Sequence, residues 1–271
     1  MTMDRPSRLQ PYPAWNGQRR AFRTRLDGRR DVFLKEDAEA PAGFFAAERR
    51  GLDALAEAGA RVPEVISQDQ DHIVLAWIEV GTASRSGMAD IGHQLARVHA
   101  TQGPGFGYEC TTWCGEGRQD NRLMDSGHDF FAQRRLLPLG DRAALLGLLN
   151  GSEIQNLERL CSRLSDWIPS QPPVLIHGDF WSGNALVTSE GQGVLIDPAV
   201  SWGWAEADLA MTHLFGGFSP AFYRAYQSVH SLETGFEERV DLYNLYHLLN
   251  HLVIFGAAYH ASVLRVLKRY G

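Results

Sequence analysis

The N-terminal quarter of the chain changes its hydrophobic period twice. "RAFRTRL" (20–26) and "DVFLKE" (31–36) alternate apolar and polar positions about a turn at Asp27 and Gly28, so that Val32 and Leu34 share a face. A period of two predicts an antiparallel strand pair, with Lys35 at the end of its second strand. Over "PAGFFAAERRGLDALAEAGA" (41–60), Phe45, Glu48, Leu52 and Leu55 recur at three- and four-residue steps, the period of an amphipathic helix. Glu48 falls on the apolar face of that helix. After Pro63, "EVISQ" and "HIVLAWIEV", split by the polar run Asp69 to Asp71, predict a second hairpin that completes a small sheet.

Beyond "VGT" (80–82) the period becomes helical. "MADIGHQLARVHA" (88–100), "HDFFAQRRLLPL" (128–139), "RAALLGLLN" (142–150), "SEIQNLERLCSRLSDWI" (152–168) and a long stretch from Phe236 all read as helices. The pattern is that of an α+β chain with two units, a sheet plus one helix over 1–78 and a mainly helical unit over 79–271. One β unit interrupts the helices: "PVLIHGD" enters a glycine-bearing loop, "NALVT" leaves it, "SEGQG" turns and "GVLID" returns. The middle of this hairpin, Leu186, Val187, Val194 and Leu195, is apolar, and its register brings Asn184 and Asp197 together at one rim.

Bulk composition narrows the function. With 271 residues, 44% of them hydrophobic and 10% aromatic, the chain fills two cores without covalent staples. A net charge of −6 gives no attraction to nucleic acid or to an anionic membrane surface, so neither is an expected partner. No run reaches the roughly 18 apolar residues of a membrane span, and the charged, proline-broken start is unlike a signal core. A cytoplasmic monomer is the expectation. Cys110, Cys114 and Cys161 offer one C-x3-C spacing and no second pair, which reads as reduced thiols rather than a zinc site. His247 and His251 stand four apart, as a helical metal pair would, but no H-E-x-x-H is present and they read as part of a buried aromatic helix.

The chemistry concentrates in "HGDFWSGN" and "IDPA". His177 and Asp179 form H-x-D, Asn184 follows five residues after Asp179, and Asp197 thirteen after Asn184. Transfer of a phosphoryl group from ATP needs these residue types, because the work is positioning and charge neutralisation. One carboxylate, Asp179, takes the acceptor's proton. A carboxamide and a second carboxylate, Asn184 and Asp197, supply hard oxygen ligands for Mg²⁺. Upstream, strand-borne Lys35 precedes helix-borne Glu48 by thirteen residues, in the manner of the ammonium and carboxylate that clamp a nucleotide's phosphates in protein kinases. No D-F-G or A-P-E segment is present to shape an activation loop, which disfavours a protein kinase. His177 reads as a brace of its loop. Trp181 reads as a flat platform at the mouth of the site, and Glu206 as a helix first-turn charge or a contact for a substrate ammonium.

"LIHGDFWSGNALV", "VLIDPAVSWGWAEADLAMTHLFGGF", "FYRAY", "LYNLYHLLNHLVIFGAAY", "FGYECTTWCGEGRQDN" and "FFAQRRLLPL" together closely resemble the fructosamine kinase (ketosamine 3-kinase) family, relatives of the aminoglycoside phosphotransferases. The resemblance implies a bilobal protein-kinase-like fold, with a small β-rich N-lobe and a larger helical C-lobe. It also implies Mg²⁺- and ATP-dependent phosphorylation of the 3-hydroxyl of a ketosamine, a glycated amine or protein, whose unstable 3-phosphate then releases the amine. Carried onto this chain, it makes Asp179 the base, Asn184 and Asp197 the metal ligands, and Lys35 with Glu48 the phosphate anchor. Ala76, Trp77 and Ile78 become the hinge that meets adenine through backbone groups, and Asp208 an acceptor for the catalytic loop's amides. The competing readings are a kinase of another amino-alcohol or an aminoglycoside, and an inactive nucleotide-binding scaffold. The scaffold reading draws on the single Gly17 in "YPAWNGQRRAF".

Overall fold

The computed structural model describes residues 20–271, so the turn that contains Gly17 lies outside the described residues. Strands β1 (Arg20–Leu26), β2 (Arg30–Glu36), β3 (Val65–Gln68) and β4 (His72–Ala76) form an antiparallel sheet in the order β1-β2-β4-β3, and helix α1 (Phe44–Glu57) connects β2 to β3. The predicted turn is tight: Asp27 and Gly28 both take left-handed backbone angles, φ 49° and 64°, which aspartate and glycine tolerate best.

The pleat of β2 decides where its lysine goes. Val32 and Leu34 pack with Phe22 and Val74 on one face, whereas Ile73 and Leu75 of β4 pack with Phe44, Phe45 and Leu52 of α1 on the other. Lys35 alternates with Leu34 and pairs in register with Ile73, so it falls on the face that α1 covers. That is where Glu48 waits.

The rest of the chain is mostly helical. Helix α2 (Arg85–Val98) is followed by a short hairpin, β5 (Thr112–Cys114) and β6 (Gly117–Gln119). Next comes a helical run of α3 (Gly127–Phe130), a π-helical turn (Phe131–Leu136) and α4 (Leu137–Leu145). The two helices expected over 142–150 and 152–168 are broken otherwise. Asn150 starts a new helix with a capping box to Glu153, so α5 spans Gly151–Cys161 and the short α6 Leu164–Trp167. Strand β7 (Val174–Ile176) leads to the catalytic-loop candidate, and β8 (Ala185–Val187) and β9 (Gly193–Leu195) form the expected hairpin. Strand β10 (Ser201–Gly203), paired with β7, carries no alternation of its own and was not foreseen.

Helices α7 (Ala205–Leu214), α8 (Pro220–Gln227), α9 (Phe236–Phe255) and α10 (His260–Tyr270) close the fold. Helix α9 runs through the main core, burying Leu242, Tyr243, Leu245, Leu249 and Leu252. Each such leucine contributes about 1.5–3 kcal/mol by leaving water. Among the described residues, no helix is long and apolar enough to cross a membrane.

Candidate active site

A cleft of about 760 Å³ opens between the sheet and the helical part. Lys35, Glu48, Ala76, Trp77, Ile78, Asp179, Trp181, Asn184 and Asp197 all line it; His177, Glu206 and Asp208 do not.

The loop after β7 is shaped by its backbone. Gly178 has φ 79°, and a Cβ there would stand 2.1 Å from the Ala199 carbonyl, so only glycine lets the chain turn at this point. Asp208, on α7, anchors the turn: it accepts hydrogen bonds from the amides of His177 (2.6 Å) and Gly178 (2.8 Å), and its Oδ2 lies 3.1 Å from His99 Nε2. Burial would raise the Asp208 carboxyl, but the hydrogen bond with His99 and that from the Gly178 amide carry it below its ordinary value. His177 braces the same loop, its Nε2 donating to the Ile196 carbonyl (2.9 Å) and its Nδ1 accepting from the Asp179 amide (3.3 Å). Burial holds the ring neutral by lowering its pKa.

Asp179 emerges half-buried from this frame. Burial and, after it, the charge of Asp197 push its carboxyl up to about 7, the range of a base poised near neutral pH. Asn184 Nδ2 donates to the Asp179 carbonyl (2.9 Å) and to its carboxylate (3.2 Å), which commits the amide nitrogen and leaves the carboxamide oxygen as the remaining acceptor. The β8–β9 register carries on into an Ile196 amide to Asn184 carbonyl bond of 3.0 Å, so Asp197 arrives beside Asn184. Asp197 holds a left-handed φ of 53°, a conformation aspartate tolerates better than most residues.

Lys35 Nζ donates to Glu48 Oε1 at 2.7 Å and to Asp197 Oδ1, joining the sheet to the β8–β9 hairpin. Burial alone would lower its pKa, but the two carboxylates raise it above its ordinary value and keep it charged. At the hinge, the Ala76 amide already donates to the Glu64 carbonyl (2.9 Å) and the Trp77 amide to that of Asp31 (3.4 Å). Of the three hinge amides, Ile78's is the one that donates to no described residue.

Two aromatic side chains at the far end, Trp181 and Phe215, meet edge to face at 6.1 Å and stay 37% and 46% exposed. Beside them, Nδ1 of His251 is buried and has no hydrogen-bond partner among the described residues. Of the two sequence readings of Glu206, the structure keeps the first-turn charge, since the residue stands in the first turn of α7, and corrects the substrate contact. Glu206 is almost fully buried, and both its oxygens are taken by Arg239, at 3.0 Å from Nε and 2.7 Å from Nη2. An acid so engaged cannot reach a substrate ammonium.

The sequence reading also missed three residues. His99, the second partner of Asp208, sits 109 positions before it, and its other nitrogen meets Tyr226 Oη at 2.8 Å. Cys114 and Asn250 line the cleft from β5 and α9. A single histidine, cysteine or asparagine with its partner more than a hundred residues away leaves no local signal.

A two-part body with this loop, hairpin and lysine is a protein-kinase-like phosphotransferase. A macrolide 2′-phosphotransferase of type I has the same fold, with TM-score 0.62 at 13% identity over 99% of this chain and 92% of its own. The chain belongs to the fructosamine kinase family, whose sequence model matches residues 16–270. A solved structure from Thermobifida fusca, named after fructosamine-3-kinase, superposes with TM-score 0.89 at 31% identity, covering 97% of this chain and 93% of that one. Among curated relatives, a Synechocystis protein named "Probable ketoamine kinase" is 37% identical over 90% of this chain and 84% of its own. The Arabidopsis thaliana "Protein-ribulosamine 3-kinase, chloroplastic" is 32% identical over 88% and 75%. The chain is therefore a kinase that transfers phosphate to a hydroxyl group.

Proposed function

We propose that this protein is an ATP- and Mg²⁺-dependent ketosamine 3-kinase whose product sheds its phosphate and returns the free amine. The observation that carries the reading is the convergence of Asp179, Asn184, Asp197 and Lys35 on one cleft, in a chain of the fructosamine kinase family. The donor set fits the metal: one carboxamide oxygen and one carboxylate are hard ligands of the kind Mg²⁺ takes. Bound there, Mg²⁺ supplies charge neutralisation to the phosphates.

The chain's own groups divide the remaining work. Asp179 accepts the proton of the sugar hydroxyl and orients that oxygen for in-line attack. Lys35, held by Glu48, presents its ammonium to phosphate oxygens, and the Ile78 amide offers a donor to the adenine edge. Trp181 gives the acceptor a flat apolar face, and His251 Nδ1 a hydrogen-bonding atom beside it. His177 and Asp208 keep the loop rigid without touching substrate. Glycated proteins, free glycated amino acids and small sugar amines are all candidate acceptors.

ATP consumption with Mg²⁺ against ribulosamine, fructosamine, an aminoglycoside and choline tests this. Turnover is expected on a ketosamine, falling by roughly 10²–10⁴ in Asp179→Asn with the fold retained. Turnover on the aminoglycoside or choline instead would transfer the reading to another amino-alcohol. ATP binding with no stimulated turnover would favour the inactive scaffold.

A further inference from the structure

Behind the candidate base the cleft carries a second set of donors of different chemistry. Cys114 from β5, Asp179 from the loop after β7 and His247 from α9 each offer one ligand atom, and these atoms lie within 4.8 Å of one another. Sγ of Cys114 and Nδ1 of His247 are 4.0 Å apart, although 133 residues separate them in the chain. We propose that Cys114, Asp179 and His247 form a binding site for a thiophilic divalent metal, Zn²⁺ above all, and that filling it takes Asp179 out of catalysis.

Geometry comes first. Zn²⁺ bonds of about 2.3 Å to sulfur and about 2.0–2.2 Å to nitrogen and oxygen place tetrahedral ligand atoms roughly 3.3–3.8 Å apart. Drawing in from separations of at most 4.8 Å asks for about 1.5 Å or less, within reach of side-chain rotation. Both Cys114 and Asp179 also line the cleft, so the fourth position faces open space, as in zinc sites that keep a water or take a ligand.

Donor chemistry separates this site from the Mg²⁺ pair. Asn184 and Asp197 offer oxygens alone, whereas a thiol, an imidazole and a carboxylate select a softer ion and reject Mg²⁺. His247 is neutral, because burial and then the charge of His251 lower its pKa to about 3, so its lone pair is available. On binding, Cys114 passes its thiol proton to solvent and bonds the metal as a thiolate. Arg135 lies near the thiol and opposes a dication, while Asp197 lies near Asp179 and favours one. The competing account is an ordinary buried contact, the Cys114 thiol hydrogen-bonded to the Asp179 carboxylate with the His247 imidazole beside it; a metal titration separates the two, because only a metal site binds Co²⁺ through the thiolate.

The site rests on geometry alone; its effect on turnover rests on Asp179 being the base. The test is a titration of nucleotide-free, Mg²⁺-free protein with Co²⁺ in a Cys110→Ser, Cys161→Ser background, reading the near-ultraviolet thiolate-to-cobalt charge-transfer band. The band is expected, displaced by Zn²⁺, and abolished by adding Cys114→Ser. Asp179→Asn, which leaves the thiol and imidazole in place, is expected to weaken Co²⁺ binding without abolishing the band. No band, or a band that survives Cys114→Ser, overturns the site. In turnover assays at fixed free Zn²⁺, each variant is normalised to its own metal-free rate. Cys114→Ser should then resist Zn²⁺ by more than the roughly 10- to 100-fold that loss of a second-sphere partner costs. Metal bound through Cys114 with undiminished turnover would overturn the inhibitory half and remove Asp179 from the base role, leaving the site itself standing.

Discussion

Glu206 and Asp208 lie two residues apart on α7, both buried, and each is spent on a different partner: Arg239 for the first, His99 and two loop amides for the second. Removing one charge of a buried pair leaves the other stranded, at a cost of about 3–5 kcal/mol. Glu206→Gln should therefore lower the urea midpoint markedly, while the KM for a ketosamine stays at the wild-type value. A raised KM with an unchanged midpoint would return Glu206 to the substrate. The contrast shows what residue type and spacing disclose. Asp179, Asn184, Asp197, Lys35 and Glu48 announced themselves because their separations along the chain are short or fixed by a hairpin or helix. The substrate alternative for Glu206 failed because its cation, Arg239, lies 33 residues on in the charged first turn of α9, where nothing local points back to α7.

At the scale of elements, the apolar periods located the sheet, α1 and the long C-terminal helix. They separated two helices beside Asn150, which caps α5, but missed the break inside 152–168, where the chain leaves α5 after Cys161 and starts α6 at Leu164. Strand β10 escaped notice because three residues carry no period, and it exists only by pairing with β7. The glycine pair in "LFGGF", after α7, marks a turn whose contact no local pattern discloses. Gly217, at φ 94°, would put a Cβ 2.5 Å from the Cβ of Ser182 in the catalytic-loop candidate. Gly217→Ala should cost about 1–3 kcal/mol through overpacking and backbone strain. It should also lower kcat by displacing the loop that bears Asp179 and Asn184. Steady-state kinetics beside a thermal melt checks both; a full-strength kcat would show that the turn does not support the loop.

Over the whole molecule, three histidines, His99, His177 and His247, are buried and held neutral, each with its pKa lowered first by burial. In the unfolded chain they titrate near 6.5. The unfolded state thus binds more protons below that pH, and folding stability, full above about 6.5, is lost as the pH falls. Each histidine that stays neutral costs about 1.4 kcal/mol per pH unit over that range. Urea midpoints measured from about pH 7.5 down to about pH 5.5 should fall steadily, most of the loss coming below pH 6.5. Asp179, raised to about 7 in the fold, takes up a proton over the same range and offsets one of the three histidines, so a net fall remains. A flat profile would mean that these rings accept protons in the folded state.

The lysine that ties the sheet to the hairpin also sets a clock on biosynthesis. Lys35 and Asp197 are 162 residues apart, so at about 5–20 residues per second the ribosome delivers the second carboxylate roughly 8–32 s after the ammonium. During that interval Lys35 has Glu48 within reach but not Asp197. The cleft is consequently a late product of translation, closed by a long-range contact whose loop entropy is met only when both halves are in place. A chain released before Asp197 would lack the site.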